Sequence, residues 1–154
     1  MACVVARLFG VYGPGEAPHR LLPGLTSRLL RGERVPLTHG RQVRDFLHVD
    51  DACDGLIACA ANGRNQSASV VVNVCSGEAV SVKSFAMTVA RLMKVDDTLL
   101  GFGDETLRAG EVMHLVGSTG KLNSWVAWRP RYSLNDGIEA SLAELHRQES
   151  LSHG

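Results

Sequence analysis

The stretch from Gly40 to Asp51, Gly-Arg-Gln-Val-Arg-Asp-Phe-Leu-His-Val-Asp-Asp, carries the side chains with the most chemical potential in this sequence. A turn glycine precedes a run whose alternation puts Arg44, Phe46 and His48 on one side of a strand. Val43, Asp45, Leu47 and Val49 fall on the other. A guanidinium fixed by a strand presents a rigid fork of donors suited to bidentate contact with a phosphate. The competing reading is a surface arginine paired with Asp45 or Glu33. Asp50 and Asp51 then open an apolar helix, Asp50 as N-cap and Asp51 near the positive helix end. His48 beside Asp50, Asp51 and Asp54 suggests a metal, but capping accounts for the carboxylates and no second histidine is suitably spaced.

Other constellations argue by failing. Gly10-Val11-Tyr12-Gly13-Pro14-Gly15 follows an apolar run and invites comparison with a dinucleotide phosphate turn. Its spacing is Gly-x-x-Gly-x-Gly, Pro14 removes an amide donor, no helix begins at once, and no acidic residue ends a second strand about 20 residues on. There is no Gly-x-Ser-x-Gly elbow and no His-Glu-x-x-His helix.

The elements that must position these residues read as α/β. Residues 2–9, almost continuously apolar and interrupted by Arg7, suit a strand buried on both faces of a parallel sheet, and residues 70–74 form a second apolar strand. Leu22, Leu25 and Leu29 recur at helical spacing, with Pro23 in the first turn and Gly32 as the stop. Val35-Pro36-Leu37 is an edge strand. Ala52, Leu56, Ile57 and Ala60 form the inward face of the helix after Asp51, which Asn62-Gly63 ends. Residues 65–69 are a polar loop and 98–102 a short strand. Ser81 caps a helix turning Val82, Phe85, Val89 and Leu92 inward. Ser118 or Thr119 caps another, Trp125 and Trp128 pack in the interior, and Ser133 with Asp136 opens a last helix lined by Ile138, Leu142 and Leu145.

Composition bounds the rest. The chain has 154 residues, one domain's worth. Lys plus Arg equals Asp plus Glu at 16 each, so no long-range field argues for nucleic acid or a membrane surface. Cys3, Cys53, Cys59 and Cys75 sit singly in apolar segments and read as small buried hydrophobes of a reduced cytoplasm. No run reaches the roughly 18 to 20 apolar residues that span a bilayer. A soluble, cytoplasmic protein is expected.

Four phrases, in order, resemble the extended short-chain dehydrogenase/reductase proteins, the NAD-dependent sugar-nucleotide epimerases and dehydratases. Arg44-Asp45-Phe46 through Val49 and Asp51 is similar to an Arg-Asp-(Phe/Trp)-x-x-Val-x-Asp segment whose arginine holds the diphosphate of a nucleotide sugar. Arg7 to Gly15 resembles Arg-x-Phe-Asn-x-Tyr-Gly-Pro-Gly, which lines the junction of nicotinamide and sugar; this implies substrate contact by Tyr12 and cofactor contact by Gly10 and Val11. Gly10 stands where the family usually has a diphosphate-binding asparagine. Leu21-Leu22-Pro23 matches a helix that covers the nucleotide base, adding Leu22 and Pro23 to the implied substrate contacts. Arg108-Ala109-Gly110-Glu111 resembles an Arg-x-Gly-(Asp/Glu) loop whose arginine also grips the diphosphate. The segments from Val72 to Gly77 and from Trp128 to Ile138 resemble the family's last cofactor-sheet strand and its closing phrase, while Gly117 replaces a usual aspartate.

The resemblance covers the second half of the family's usual fold. It implies a partial Rossmann-like sheet remnant plus a small mixed α/β substrate-binding subdomain over residues 1–147, with a polar, frayed tail at 148–154. The family uses NAD(P), held by a Gly-x-x-Gly-x-x-Gly turn, and a Tyr-x-x-x-Lys pair. Here Glu16 and Asp136 stand four residues after Tyr12 and Tyr132, and a carboxylate disfavours a phenolate. The expectation is therefore a nucleotide-diphosphate-sugar-binding portion that binds no cofactor and is not catalytic alone. A homo-oligomer, or a partner chain supplying the missing half, would cover its open strands. The alternative is a non-catalytic oligomeric interaction module.

Overall fold

The computed structural model describes residues 2–63 and 67–152, which form a mixed α/β arrangement built on small, mostly parallel sheets. The β-branched runs at β1 (Val4–Leu8) and β6 (Val70–Val74) pair in parallel, Val4 opposite Val70 and Leu8 opposite Val74. Beneath them lie α2 (Val49–Gly63) and α4 (Gly120–Trp125), and Leu47, Cys59, Val72, Val74, Leu122 and Trp128 form a core there. The opposite face stays open: Val5 is 46% exposed, Leu8 47% and Val71 37%. Strands buried on both faces were expected from their composition; only one face is covered by the described elements.

A second core gathers α1 (Leu21–Leu30), α3 (Val82–Met93) and α5 (Leu134–Ser152) around Leu22, Leu25, Phe85, Val89, Ile138 and Leu142. The parallel pair β3 (Val35–Leu37) and β8 (Leu100–Phe102) closes it. Pro23 sits in the first turn of α1, where no intrahelical N–H bond is lost. Gly32, at φ 67°, ends that helix. A 3₁₀ turn at Asp97–Leu99 delays the strand expected from Thr98 by two residues, because the Asp96 carboxylate accepts the Thr98 N–H at 2.9 Å. Ser81 caps α3 by accepting the Ser84 N–H. Ser133 accepts the Asp136 N–H and donates to its carboxylate at 2.7 Å, the reciprocal box expected.

The Arg44 strand is divided in two. Its first part, β4 (Val43–Arg44), lies between β7 (Val80–Ser81) and β9 (His114–Leu115); its second, β5 (Phe46–His48), pairs with β2 (Gly10–Tyr12). Asp45 is the joint. Its N–H donates to the Leu115 carbonyl at 3.0 Å and its own carbonyl accepts the Gly10 N–H at 2.9 Å. Gly10 and Val11 are thus strand residues and not part of the expected loop. A Cβ on Gly10 would stand 2.6 Å from the Asp45 carbonyl oxygen, so glycine is what permits this approach.

Four further expectations are corrected. Asp50 does not cap α2: the helix starts at Val49, and the ring Nδ1 of His48 accepts the Asp50 N–H at 3.3 Å. The buried face of α2 is Asp51, Ala52, Gly55 and Cys59, while Leu56 and Ile57 are exposed, Ile57 by 67%, and Ala60 also faces out. The register turns because Gly55 meets Val74 and Trp128 so closely that only a missing Cβ fits. Cys3 and Cys53 are exposed; only Cys59 and Cys75 are buried, and burial with the nearby Asp45 carboxylate pushes the Cys75 thiol up to about 11. The backbone of α5 remains helical through Ser152, past the start of the expected tail, because its run from Leu134 meets neither proline nor a second glycine. Part of the loop expected at 65–69, and residues 153–154, lie outside the described residues. Thr119 holds the N-cap position of α4 without a side-chain bond. Among the described residues no helix is long and apolar enough to cross a membrane.

Candidate functional site

An open cavity of about 560 Å³ lies where β2, the end of β4, the start of α1 and the loop before β9 meet. Arg44 and Arg108 both line it, and so do Gly10, Val11, Tyr12 and Leu22. Pro23 does not; one residue beyond Leu22 on a helix, it is turned by 100° to another face.

Arg44 is one-fifth exposed. Its Nη1 donates to the Val43 carbonyl at 2.9 Å and its Nη2 to the Glu111 carboxylate at 2.6 Å. Neither Asp45 nor Glu33 is its partner: Glu33 pairs with Arg31 at 2.7 Å. Arg108 and Glu111 are the first and last residues of one turn, with the Glu111 N–H donating to the Arg108 carbonyl at 3.1 Å and Gly110 at φ 77° in third place. A type II turn requires that positive φ, which gives the Arg-x-Gly-Glu spacing a physical reason. Arg20 also lines the cavity, bonded to Glu16 at 3.3 Å and to the Val11 carbonyl.

Asp45 holds this corner together. Its side chain is buried, 1% of the residue being exposed, and it accepts four bonds: from the Ser76 N–H at 2.8 Å, the Ser76 hydroxyl at 2.7 Å, the Gly77 N–H at 2.9 Å and the Gly117 N–H at 3.1 Å. Four donors from two loops substitute for the water lost on burying a carboxylate. Sequence alternation places Asp45 on the same face as Val43, Leu47 and Val49, without showing what it binds. The available signal was a carboxylate among apolar inward residues, which must find donors.

Tyr12 is a packed wall. Its ring meets those of Phe46, His48 and Phe85 edge-on, at centroid distances of 6.2, 5.6 and 5.3 Å, and its hydroxyl rests against Gly137 at the start of α5. Burial, reinforced by the Asp51 and Asp136 carboxylates, pushes its pKa far above the ordinary value, so the phenol stays protonated. Burial also lowers His48, the Asp50 and Asp51 carboxylates opposing it only in part, which keeps the capping imidazole neutral. The other carboxylates near His48 are engaged elsewhere: Asp51 accepts the backbone N–H groups of Arg131 and Tyr132, each at 3.0 Å, and Asp54 pairs with the Arg131 guanidinium at 2.7 Å.

The glycines of residues 10–15 do not fit a dinucleotide phosphate. Gly10 lies in a strand, the Gly13 N–H is taken by Glu16, and α1 begins only at Leu21. The arrangement instead gathers guanidinium groups and the apolar side chains of Tyr12, Leu22, Phe46 and Phe85 around one cavity, suited to an anion carrying an apolar or ring-bearing substituent.

Residues 1–75 match the model of the NAD dependent epimerase/dehydratase family. The chain is similar to that family over those residues and, through individual relatives, over most of its length. It is 29% identical over 141 residues to the CDP-abequose synthase of Salmonella typhimurium, covering 90% of this chain and 47% of that protein. It is 29% identical over 147 residues to a dTDP-glucose 4,6-dehydratase of Streptomyces griseus, covering 95% of this chain and 43% of the relative. Among solved structures, MoeE5 in complex with UDP-glucose and NAD superposes with a TM-score of 0.85 at 28% identity, over 96% of this chain and 48% of its own. The chain therefore spans about half the length of the relatives it matches.

Proposed function

We propose that the chain is the carboxy-terminal, nucleotide-sugar-binding half of an NAD-dependent epimerase/dehydratase, with the ligand's diphosphate held between Arg44 and Arg108. The observation that carries the reading is their convergence: two arginines far apart in sequence line one cavity. Relatives solved with UDP-glucose or UDP-glucuronic acid and NAD support it by analogy. Tyr12 and Leu22 supply the apolar wall, and Gly10 and Val11 the side facing a cofactor held by another part of the fold. The Gly-rich NAD turn and the Tyr-x-x-x-Lys pair are absent from these 154 residues, so the chain binds no NAD and turns over no substrate unless a second polypeptide or further sequence provides them. Calorimetric titration with UDP-, GDP-, CDP- and dTDP-sugars is the test. Arg44→Ala or Arg108→Ala should weaken whichever sugar nucleotide binds by about ten- to a hundredfold, the worth of one charge-assisted contact. Heat from none of the four, or unchanged affinity in both variants, would sink the reading.

One observation favours a second reading, an oligomeric interaction module. Val5, Leu8 and Val71 leave an apolar strand face open, and such faces are covered by association in most soluble proteins. Both readings hold together if the same face receives the missing half.

A further inference from the structure

His48 stands where β5 passes into α2, only 3% exposed. Its Nδ1 accepts the Asp50 N–H at 3.3 Å, so the ring proton lies on Nε2, and Nε2 is buried without a hydrogen-bond partner among the described residues. Asparagine, aspartate, serine and threonine are the usual acceptors at a helix start, and they serve without burying an orphan donor. An imidazole serves only while it is uncharged. The ring is also a junction. The Tyr132 ring lies against it at 4.4 Å between centroids, and Tyr12, which lines the cavity, meets it edge-on at 5.6 Å. A Cβ on Gly13 or on Gly137 would stand 3.4 Å from atoms of the same ring. Charged neighbours come from two sides. From α2, the Asp50 carboxylate is 3.7 Å from Nδ1 and more than half exposed, while Asp51 is buried on the Arg131 and Tyr132 backbone N–H groups. From the segment before α5, the Arg131 guanidinium is engaged by Asp51 and Asp54. The other elements bring the phenols of Tyr12 and Tyr132, Gly137 of α5 with Asp136 bonded to Ser133, and Glu16 bonded to the Gly13 N–H.

We propose that His48 is an acid-sensitive pin: uncharged, it locks the start of α2 to the start of α5 and to the Tyr12 side of the cavity, and charged, it releases them. Protonation places an N–H on Nδ1 that faces the Asp50 N–H, donor against donor. The ring then carries two buried N–H groups with one acceptor within reach, the Asp50 carboxylate. Turning toward that carboxylate is opposed by Tyr12, Tyr132 and the two glycines that crowd the ring. The first turn of α2 loses its acceptor, and that turn carries Asp51, which holds the backbone of residues 131 and 132 ahead of α5. The slack therefore reaches both α5 and Tyr12. Burial, the largest influence, lowers the pKa of His48; the Asp50 and Asp51 carboxylates oppose it in part and Arg131 adds to it. Below the ordinary histidine value of 6.5 the unfolded chain thus binds a proton that the folded chain resists. Stability from this group is complete above that pH and is lost as the pH falls toward the folded-state value. The pin works in the same way whichever ligand the cavity takes.

Nitrogen NMR of the native protein reads the ring directly. The expected result is the Nε2–H tautomer, a titration below the ordinary histidine value, and Tyr12 and Tyr132 ring signals that move with it. Urea denaturation from about pH 8 to about pH 5 then compares the native protein with His48→Asn, whose side-chain oxygen also accepts an N–H but does not titrate. Below about pH 6.5 the native unfolding constant should rise by up to roughly tenfold per pH unit more than that of the variant, the effect of a single proton. The other histidines of the six act alike in both proteins. A His48 that titrates at or above its ordinary value, parallel pH profiles for the two proteins, or Tyr12 signals that stay fixed while His48 titrates would each overturn the proposal. If His48→Asn does not fold, the titration of the native protein decides alone.

Discussion

Asp45 shows how much of the site's geometry depends on one buried side chain. Its four acceptor bonds tie the ends of β6 and the start of the segment before α4 to the joint between β4 and β5, next to Arg44. Asparagine has the same shape but offers one acceptor oxygen and turns an NH₂ toward two of those N–H groups. Each buried donor left unmatched costs about 1–3 kcal/mol, so Asp45→Asn should lose about 2–4 kcal/mol in urea denaturation. An unchanged midpoint would show that the loops hold their positions without it. At this scale the sequence was partly legible. Arg44 and Arg108 were singled out by type and by resemblance, and both line the cavity. The partner of Arg44 was misplaced, because a contact to Glu111, 67 residues away, depends on the fold and not on spacing. Aspartate's preference for helix starts points to Asp50 as the cap, but it is the His48 ring, delivered by the preceding strand, that accepts the Asp50 N–H.

At the scale of elements, periodicity located α1, α3 and α5 and their buried faces, since leucines and phenylalanines at three- and four-residue intervals leave little choice. It failed on α2. Leu56 and Ile57 dominate any count of apolar residues, yet Gly55 decides the orientation through what its missing side chain lets approach. Gly137 in α5 is a similar case. Alanine in an exposed helix interior would stabilise by up to about 1 kcal/mol over glycine. Here a Cβ would collide with the Tyr12 hydroxyl, and the Tyr12 ring is held by three aromatic neighbours. Overpacking of this kind costs about 1–3 kcal/mol. Gly137→Ala should therefore be destabilising by about 1–2 kcal/mol in thermal or urea melts, and a stabilised variant would mean that α5 shifts freely against β2.

At the scale of the molecule, the α/β class and its family kinship were legible from the ordered phrases, because those residues meet at the site and at the sheet. The fate of the sheet's second face was not, because continuous apolar runs say that both faces want cover without saying what supplies it. Val5, Leu8 and Val71 are solvent-facing. Self-association through the strand face predicts an assembly larger than a monomer in light scattering. Val71→Lys, at a position already 37% exposed, should shift that assembly toward monomer with little change in melting temperature. A native protein that runs as a monomer at high concentration would remove the argument for association.

The turn from Arg108 to Glu111 has a mechanical consequence. Because one backbone segment carries Arg108 to the cavity and the Glu111 carboxylate onto Arg44, swinging that segment outward would break the ion pair and withdraw Arg108 in the same movement. A hinged flap built this way gains nothing by opening. Rotation of the Glu111 side chain alone would part it from Arg44 and leave Arg108 where it is, so the two arginines of the cavity can be uncovered independently.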